Sequence, residues 1–216
     1  MTVERTIETR THGRYLVSAP PQADAPLLVG FHGYGENAED GLRRLQTIPG
    51  TDRWLLVSVQ ALNRFYRTRT NEIVASWMTR QNRELAIDDN ITYVSSVIRK
   101  VREEWSAGTT LVLAGFSQGV AMAFRAAVSV DPAVTGVIAL GGDVPRELNS
   151  SSLSRIPSAL IGRGVRDEFY PAGTHAQDER RLREAAIDLR VVSLDAAHEW
   201  TSEFARSAGL FIQDFL

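Results

Sequence analysis

The sequence predicts an α/β fold, a mostly parallel, twisted sheet of about 7–8 strands with helices on both faces and no separate cap domain. Three observations predict it. Short apolar runs alternate along the chain with segments of helical periodicity, the order that builds a parallel sheet between two helical layers. Most of the runs are continuously apolar, as strands buried on both faces are. One of them leads directly into Gly115-Phe116-Ser117-Gln118-Gly119 and then into a helical segment of small residues.

Taken in order, residues 6–10 and Arg14–Ser18 flank His12-Gly13 and predict an opening hairpin. Leu27–Phe31, LLVGF, is the first continuous apolar run, and 54–59, 110–114, Gly136–Leu140, 158–161 and 190–194 repeat it. A helix is predicted over 88–105, where Ile91, Val94, Val97, Ile98 and Val101 recur at three- and four-residue spacing behind Asp88 and Asp89. Further helices are predicted over 118–130, 178–187 and 199–215, and the serine run 149–152 reads as a solvated loop. The segment 60–87 has no clear period. Loops that long in a compact domain are usually functional or disordered, and Phe65, Tyr66, Trp77 and Met78 argue against disorder.

Composition bounds the function. The 216 residues are 44% hydrophobic and 23% charged, an ordinary globular balance that excludes collagen-like or disordered chains. This reads as a single domain, 1–216, with 60–87 as a long loop over the site. A net charge of −2 gives no electrostatic case for nucleic acid. With no cysteine, disulfides, thiolate catalysis and Cys-ligated zinc are excluded. Charges at Glu4, Arg5, Glu8 and Arg10 interrupt any leader-like apolar run, and no later stretch is long enough to span a bilayer. The expectation is a cytoplasmic protein. Of the 24 basic residues only Lys100 is a lysine, which lowers the significance of any one arginine cluster.

Gly115–Gly119 matches G-x-S-x-G, a pattern that arises by chance in roughly one chain in ten of this length. Its setting between a strand and a helix makes it specific, because a nucleophile elbow needs that sharp turn to lift the hydroxyl above the sheet. A nucleophilic Ser117 needs a base, and the base an orienting acid. Of four histidines, His198 follows the last strand, where the Ser…Asp…His order puts the base. His12 and His175 read as exposed polar residues and His32 as a structural residue of its loop. For the acid, Asp167 after the run 158–161 is favoured, with Asp143 and Glu168 as alternatives. Both aspartates follow carboxyl ends of strands, where sites form in open α/β sheets. The glycine-rich loop FHGYGEN after Leu27–Phe31 is placed to supply one oxyanion N–H, from Tyr34, with the second from Gln118. The bland alternative is a turn that caps the following helix. No His pair or carboxylate–histidine cluster calls for a metal, and the chemistry calls for no cofactor.

With these residues in place the chain resembles an α/β-hydrolase, and more narrowly the phospholipase/carboxylesterase family that includes acyl-protein thioesterases. The matching pieces are FHGYGEN, SWM at 76–78, AGFSQG, IGRGVRDEFYP and AAHEW, in the family's order. The resemblance implies a Ser117–Asp167–His198 triad and Tyr34 and Gln118 as oxyanion donors. Arg163 and Val165-Arg166 stand where the family more often has small polar residues, and Trp77 is followed by Met78 rather than a second aromatic. The expected activity is hydrolysis of small-molecule carboxylic esters or thioesters of small to medium acyl groups through an acyl-enzyme. An acyltransferase on the same triad and a non-catalytic ligand-binding homologue are the alternatives. Phe65, Trp77 and Met78 are expected to wall an acyl groove. Arg64, Arg67, Arg69, Arg80 and Arg83 either meet a carboxylate or phosphate of the substrate or face water. The sequence leaves a homodimer open.

Overall fold

A computed structural model describes residues 1–18 and 23–216. The elements follow one another as β1 (Arg14–Ser18), β2 (Leu27–Phe31), α1 (Ala38–Gln46), a 3-10 turn (Thr51–Arg53), β3 (Leu55–Gln60), β4 (Asn63–Tyr66), β5 (Ile73–Ser76), α2 (Arg83–Trp105), β6 (Leu111–Phe116), α3 (Gln118–Ala127), β7 (Gly136–Leu140), α4 (Ser150–Leu153), β8 (Ser158–Gly164), α5 (Ala172–Glu184), β9 (Asp188–Leu194) and α6 (Ser202–Gln213). Among the described residues seven strands form one sheet in the order β1-β3-β2-β6-β7-β8-β9. Only β1 runs antiparallel to its neighbour. No separate cap domain is present among the described residues.

The central strands are apolar throughout because side chains alternate between two covered faces. Leu27, Val29 and Phe31 of β2 join the core that α2, α3 and α5 cover. Leu28 points the other way, into the core closed by α1 and α6 through Leu45, Phe204 and Phe211. This arrangement stacks β2 and β6 side by side at the sheet centre, with Phe31 opposite Gly115. The loops that leave their carboxyl ends therefore meet above the sheet.

Several expectations fail here. Residues 6–10 form no strand, and β1 pairs instead with β3, Arg14 opposite Gln60 and Val17 opposite Val57. The 1–13 segment buries nothing, with Ile7 91% exposed, so a strand there would gain no apolar burial. Tyr15 and Val17 by contrast pack onto the core. The segment 60–87 contains its own two-stranded sheet of β4 and β5, Phe65 opposite Val74, and then the first turn of α2. The helix α1 is polar on average, and its buried side, Ala38, Gly41 and Leu45 at helical spacing, is too small to stand out in the sequence. Its signal was the capping box, Asn37 accepting from the Asp40 amide while Asp40 accepts from the Asn37 amide. The serine run belongs to the single helical turn α4, capped by Asn149. Helix α5 begins earlier than its apolar residues suggest, because two of its three buried residues, His175 and Asp178 beside Leu182, are polar.

Candidate active site

The turn between β6 and α3 carries Ser117 at φ 53°, ψ −123°, a conformation that costs an L-residue about 1–3 kcal/mol and that clusters at functional sites. The two glycines beside it are needed for space. A Cβ on Gly115 would lie 2.5 Å from the carbonyl oxygen of Gly119, and one on Gly119 would lie 2.1 Å from that of Phe31. The strand, the turn and the helix can close this tightly only without those side chains. The Ser117 side chain makes no capping bond to α3, so its hydroxyl is left for another partner.

That partner is His198, in the loop after β9, with Nε2 2.9 Å from Ser117 Oγ. On the other side of the ring, Nδ1 lies 2.8 Å from Asp167 Oδ2. Asp167 follows β8 and is 4% exposed. Its second oxygen, Oδ1, accepts the amides of Phe169 and Tyr170, both at 2.9 Å. The carboxylate thus has one oxygen committed to the backbone and one to the imidazole. Nδ1 is then the donor and Nε2 the acceptor of the serine hydroxyl proton. The ring lies between Phe116 and Phe169, with centroids at 5.1 and 5.0 Å. Asp143 and Glu168 are solvent-exposed, and neither bonds to His198.

The loop FHGYGEN lies beside the serine. His32 is fully buried, with Nδ1 2.7 Å from the Gly33 carbonyl and Nε2 accepting the Ala61 amide at 3.1 Å. Burial holds its pKa below the ordinary histidine value, so it is a neutral brace between two loops. The Tyr34 amide donates to no acceptor among the described residues. The Gln118 amide is at the first position of α3, where no intrahelical partner exists. Glu36 accepts the Gly33 amide and pairs with Arg44. Burial pushes its carboxyl up, but the Arg44 guanidinium and the Gly33 amide more than offset this and leave it below the usual carboxylate range.

Among the residues expected at an acyl groove, Phe65 is 37% exposed and stacks on Tyr34 with centroids 5.5 Å apart. Met78 is half-buried. Trp77 does not face the site. It is 1% exposed, packs edge-on against Phe31, and donates its indole N–H to the His32 carbonyl at 2.8 Å. Its amide donates to Gln118 Oε1 and its carbonyl accepts from Asn90, while Ser76 Oγ shares the Gln118 amide group. The tripeptide SWM is therefore a brace that locks the loop after β5 to α2, α3 and the His32 loop. Its polar partners come from distant segments, which is why an apolar wall was the natural reading of the sequence. Removing so large a buried side chain costs about 3–5 kcal/mol. Trp77→Ala should lower stability by that amount in urea unfolding, and should reduce kcat/KM equally for acetyl and octanoyl esters.

Two further placements differ from expectation. His175 is 6% exposed and sits edge-on against Tyr170, with its pKa lowered by burial and by nearby Arg163. In the arginine-rich segment, Arg64 donates to the His12 carbonyl, and Arg67 bonds Glu72 and the Gly35 carbonyl. These two hold chain to chain. Asn90 and Glu36 received no role from the sequence; Glu36 had only its place beside the glycines as a signal.

A mostly parallel sheet with a strained serine between strand and helix, and an aspartate and a histidine from the loops after its last two strands, defines an α/β-hydrolase. Residues 12–216 match the family described as phospholipase/carboxylesterase. The chain belongs to that family, and it is a hydrolase of the carboxylesterase type. Its fold is similar to that of a Bacillus cereus carboxylesterase (TM-score 0.76, 16% identity, 94% of this chain and 95% of that one). It is also similar to Zea mays acyl-protein thioesterase 2 (TM-score 0.72, 16% identity, 94% and 99%) and to esterase PE8 (TM-score 0.75, 20% identity, 94% and 98%). No curated protein matches the chain in sequence. Among the described residues no helix is long and apolar enough to cross a membrane.

Proposed function

We propose that the protein hydrolyses carboxylic esters or thioesters of small to medium acyl groups through an acyl-enzyme on Ser117. The observation that carries this reading is the unbroken chain from Ser117 Oγ through His198 to an Asp167 already anchored by two amides. Ser117 Oγ attacks the substrate carbonyl and its proton passes to His198 Nε2. Asp167 keeps the Nδ1 proton in place and stabilises the imidazolium, while the Tyr34 and Gln118 amides take the charge that develops on the carbonyl oxygen. His198 returns its proton to the departing alcohol or thiol. The same steps then run with water and release the acid. Exposed Phe169 and the Tyr34–Phe65 pair offer apolar surface for an acyl chain, so one domain with 60–87 beside the site suffices.

A fluorophosphonate probe tests the reading. It should add one adduct, located by peptide mass spectrometry on Ser117, and none on Ser117→Ala. A wild-type protein that stays unlabelled, or one labelled at another serine, would overturn the assignment.

A further inference from the structure

The turn at residues 33–36 is closed from both ends. The Gly33 amide donates to Glu36 Oε2 at 2.7 Å, and the Glu36 amide donates back to the Gly33 carbonyl at 3.4 Å. Arg44 of α1 grips the same carboxylate with two nitrogens, Nη1 at 2.7 Å from Oε2 and Nη2 on Oε1. Such a forked pair fixes direction as well as distance. Both side chains are only 20% exposed, so the pair is poorly screened. The Arg44 guanidinium also lies 4.3 Å from the ring centroid of Phe116, the residue before Ser117 and one of the two rings that flank His198. At the far side of the turn, the Gly35 amide donates to the Ala75 carbonyl and the Ala75 amide to the Glu36 carbonyl. Gly33 itself abuts the nucleophile, since a Cβ there would lie 3.3 Å from Ser117 Cβ. Of the four amides in the turn, those of Gly33, Gly35 and Glu36 are taken by these bonds, and the Tyr34 amide is the donor they leave over.

We propose that Glu36, held by Arg44, is a positioning residue that sets the 33–36 turn so that the Tyr34 amide serves the oxyanion formed at Ser117. The inference rests on the serine-hydrolase reading. It predicts that the pair acts on the transition state, not on substrate capture. A small misplacement of such a group is worth about 10²-fold in rate.

The test compares wild type, Ser117→Ala, Glu36→Ala, Glu36→Gln and Arg44→Gln on p-nitrophenyl acetate. Each is also titrated with an aliphatic trifluoromethyl ketone, whose serine adduct carries the oxyanion. Glu36→Ala should lose about 10²-fold in kcat with KM within about threefold of wild type, and ketone affinity should fall with kcat/KM. Glu36→Gln keeps an oxygen for the Gly33 amide and should recover part of the loss. Arg44→Gln should fall between wild type and Glu36→Ala. A folded Glu36→Ala with kcat within about twofold of wild type, a loss confined to KM, or undiminished ketone affinity would overturn the proposal. If Glu36→Ala does not fold, Glu36→Gln and Arg44→Gln are judged by the same three criteria. An active Ser117→Ala, or a wild type blind to the ketone, would instead sink the serine reading and the inference with it.

Discussion

Ser117→Ala should lower kcat by up to about 10⁶-fold while leaving the protein folded. The magnitude follows from the role. Without the hydroxyl no acyl-enzyme forms, and the remaining groups can only polarise a carbonyl that water must attack unaided. The fold is safe because the side chain makes no bond to its own helix and its one partner among the described residues is His198. Alanine keeps the same strained backbone, which Gly115 and Gly119 make possible from outside the residue. The melting temperature should therefore move little, and a thermal melt beside a p-nitrophenyl ester assay checks both halves. A variant that keeps a tenth of wild-type turnover would move the nucleophile elsewhere.

Asp167→Asn should lower kcat by about 10³–10⁴-fold, and the hydrogen bonds explain why the isostere is so damaging. Oδ1 of Asp167 accepts two backbone amides, so the oxygen of an asparagine must occupy that place. Its NH₂ group then faces His198 Nδ1, where the carboxylate oxygen accepted a hydrogen bond. Two donors cannot face each other, so the imidazole moves its proton to Nε2 and presents an N–H to the serine. A histidine in that tautomer cannot take the Ser117 proton. Asp143→Asn is the matched control, because that carboxylate is exposed and bonds to neither His198 nor Ser117. It should change kcat by less than about threefold, the usual scale of a surface substitution. Single-turnover kinetics on both variants decide between the loops after β7 and β8, and a larger loss for Asp143→Asn would reverse the ranking.

The family resemblance was legible because its pieces are local. Leu27–Phe31 and Gly136–Leu140 read as strands since a strand covered on both faces must be apolar at every position. The serine turn read as an elbow since strand, two glycines and helix are contiguous, and no distant residue is needed to define it. His198 was legible by its position after the last strand. Where local signal and long-range packing parted, the sequence misled. Residues 6–10 alternate like a strand but have nothing to bury against. Polar His175 lies against Tyr170 inside the fold, and Trp77, which looks like a substrate wall, is buried among the His32 loop, α2 and α3, which are far apart in the chain.

The sequence by itself therefore determined the α/β architecture, the order of the main-sheet strands along the chain, and which serine and which histidine stand at strand ends, because burial and turn chemistry are written into neighbouring residues. Only the tertiary structure decided which carboxylate meets His198, that Trp77 and Gln118 brace a loop, and that Glu36 and Arg44 close the turn beside Ser117. Each of those depends on where two separate loops come to rest against each other, and that is set by the register and twist of the whole sheet, which no short stretch of sequence contains.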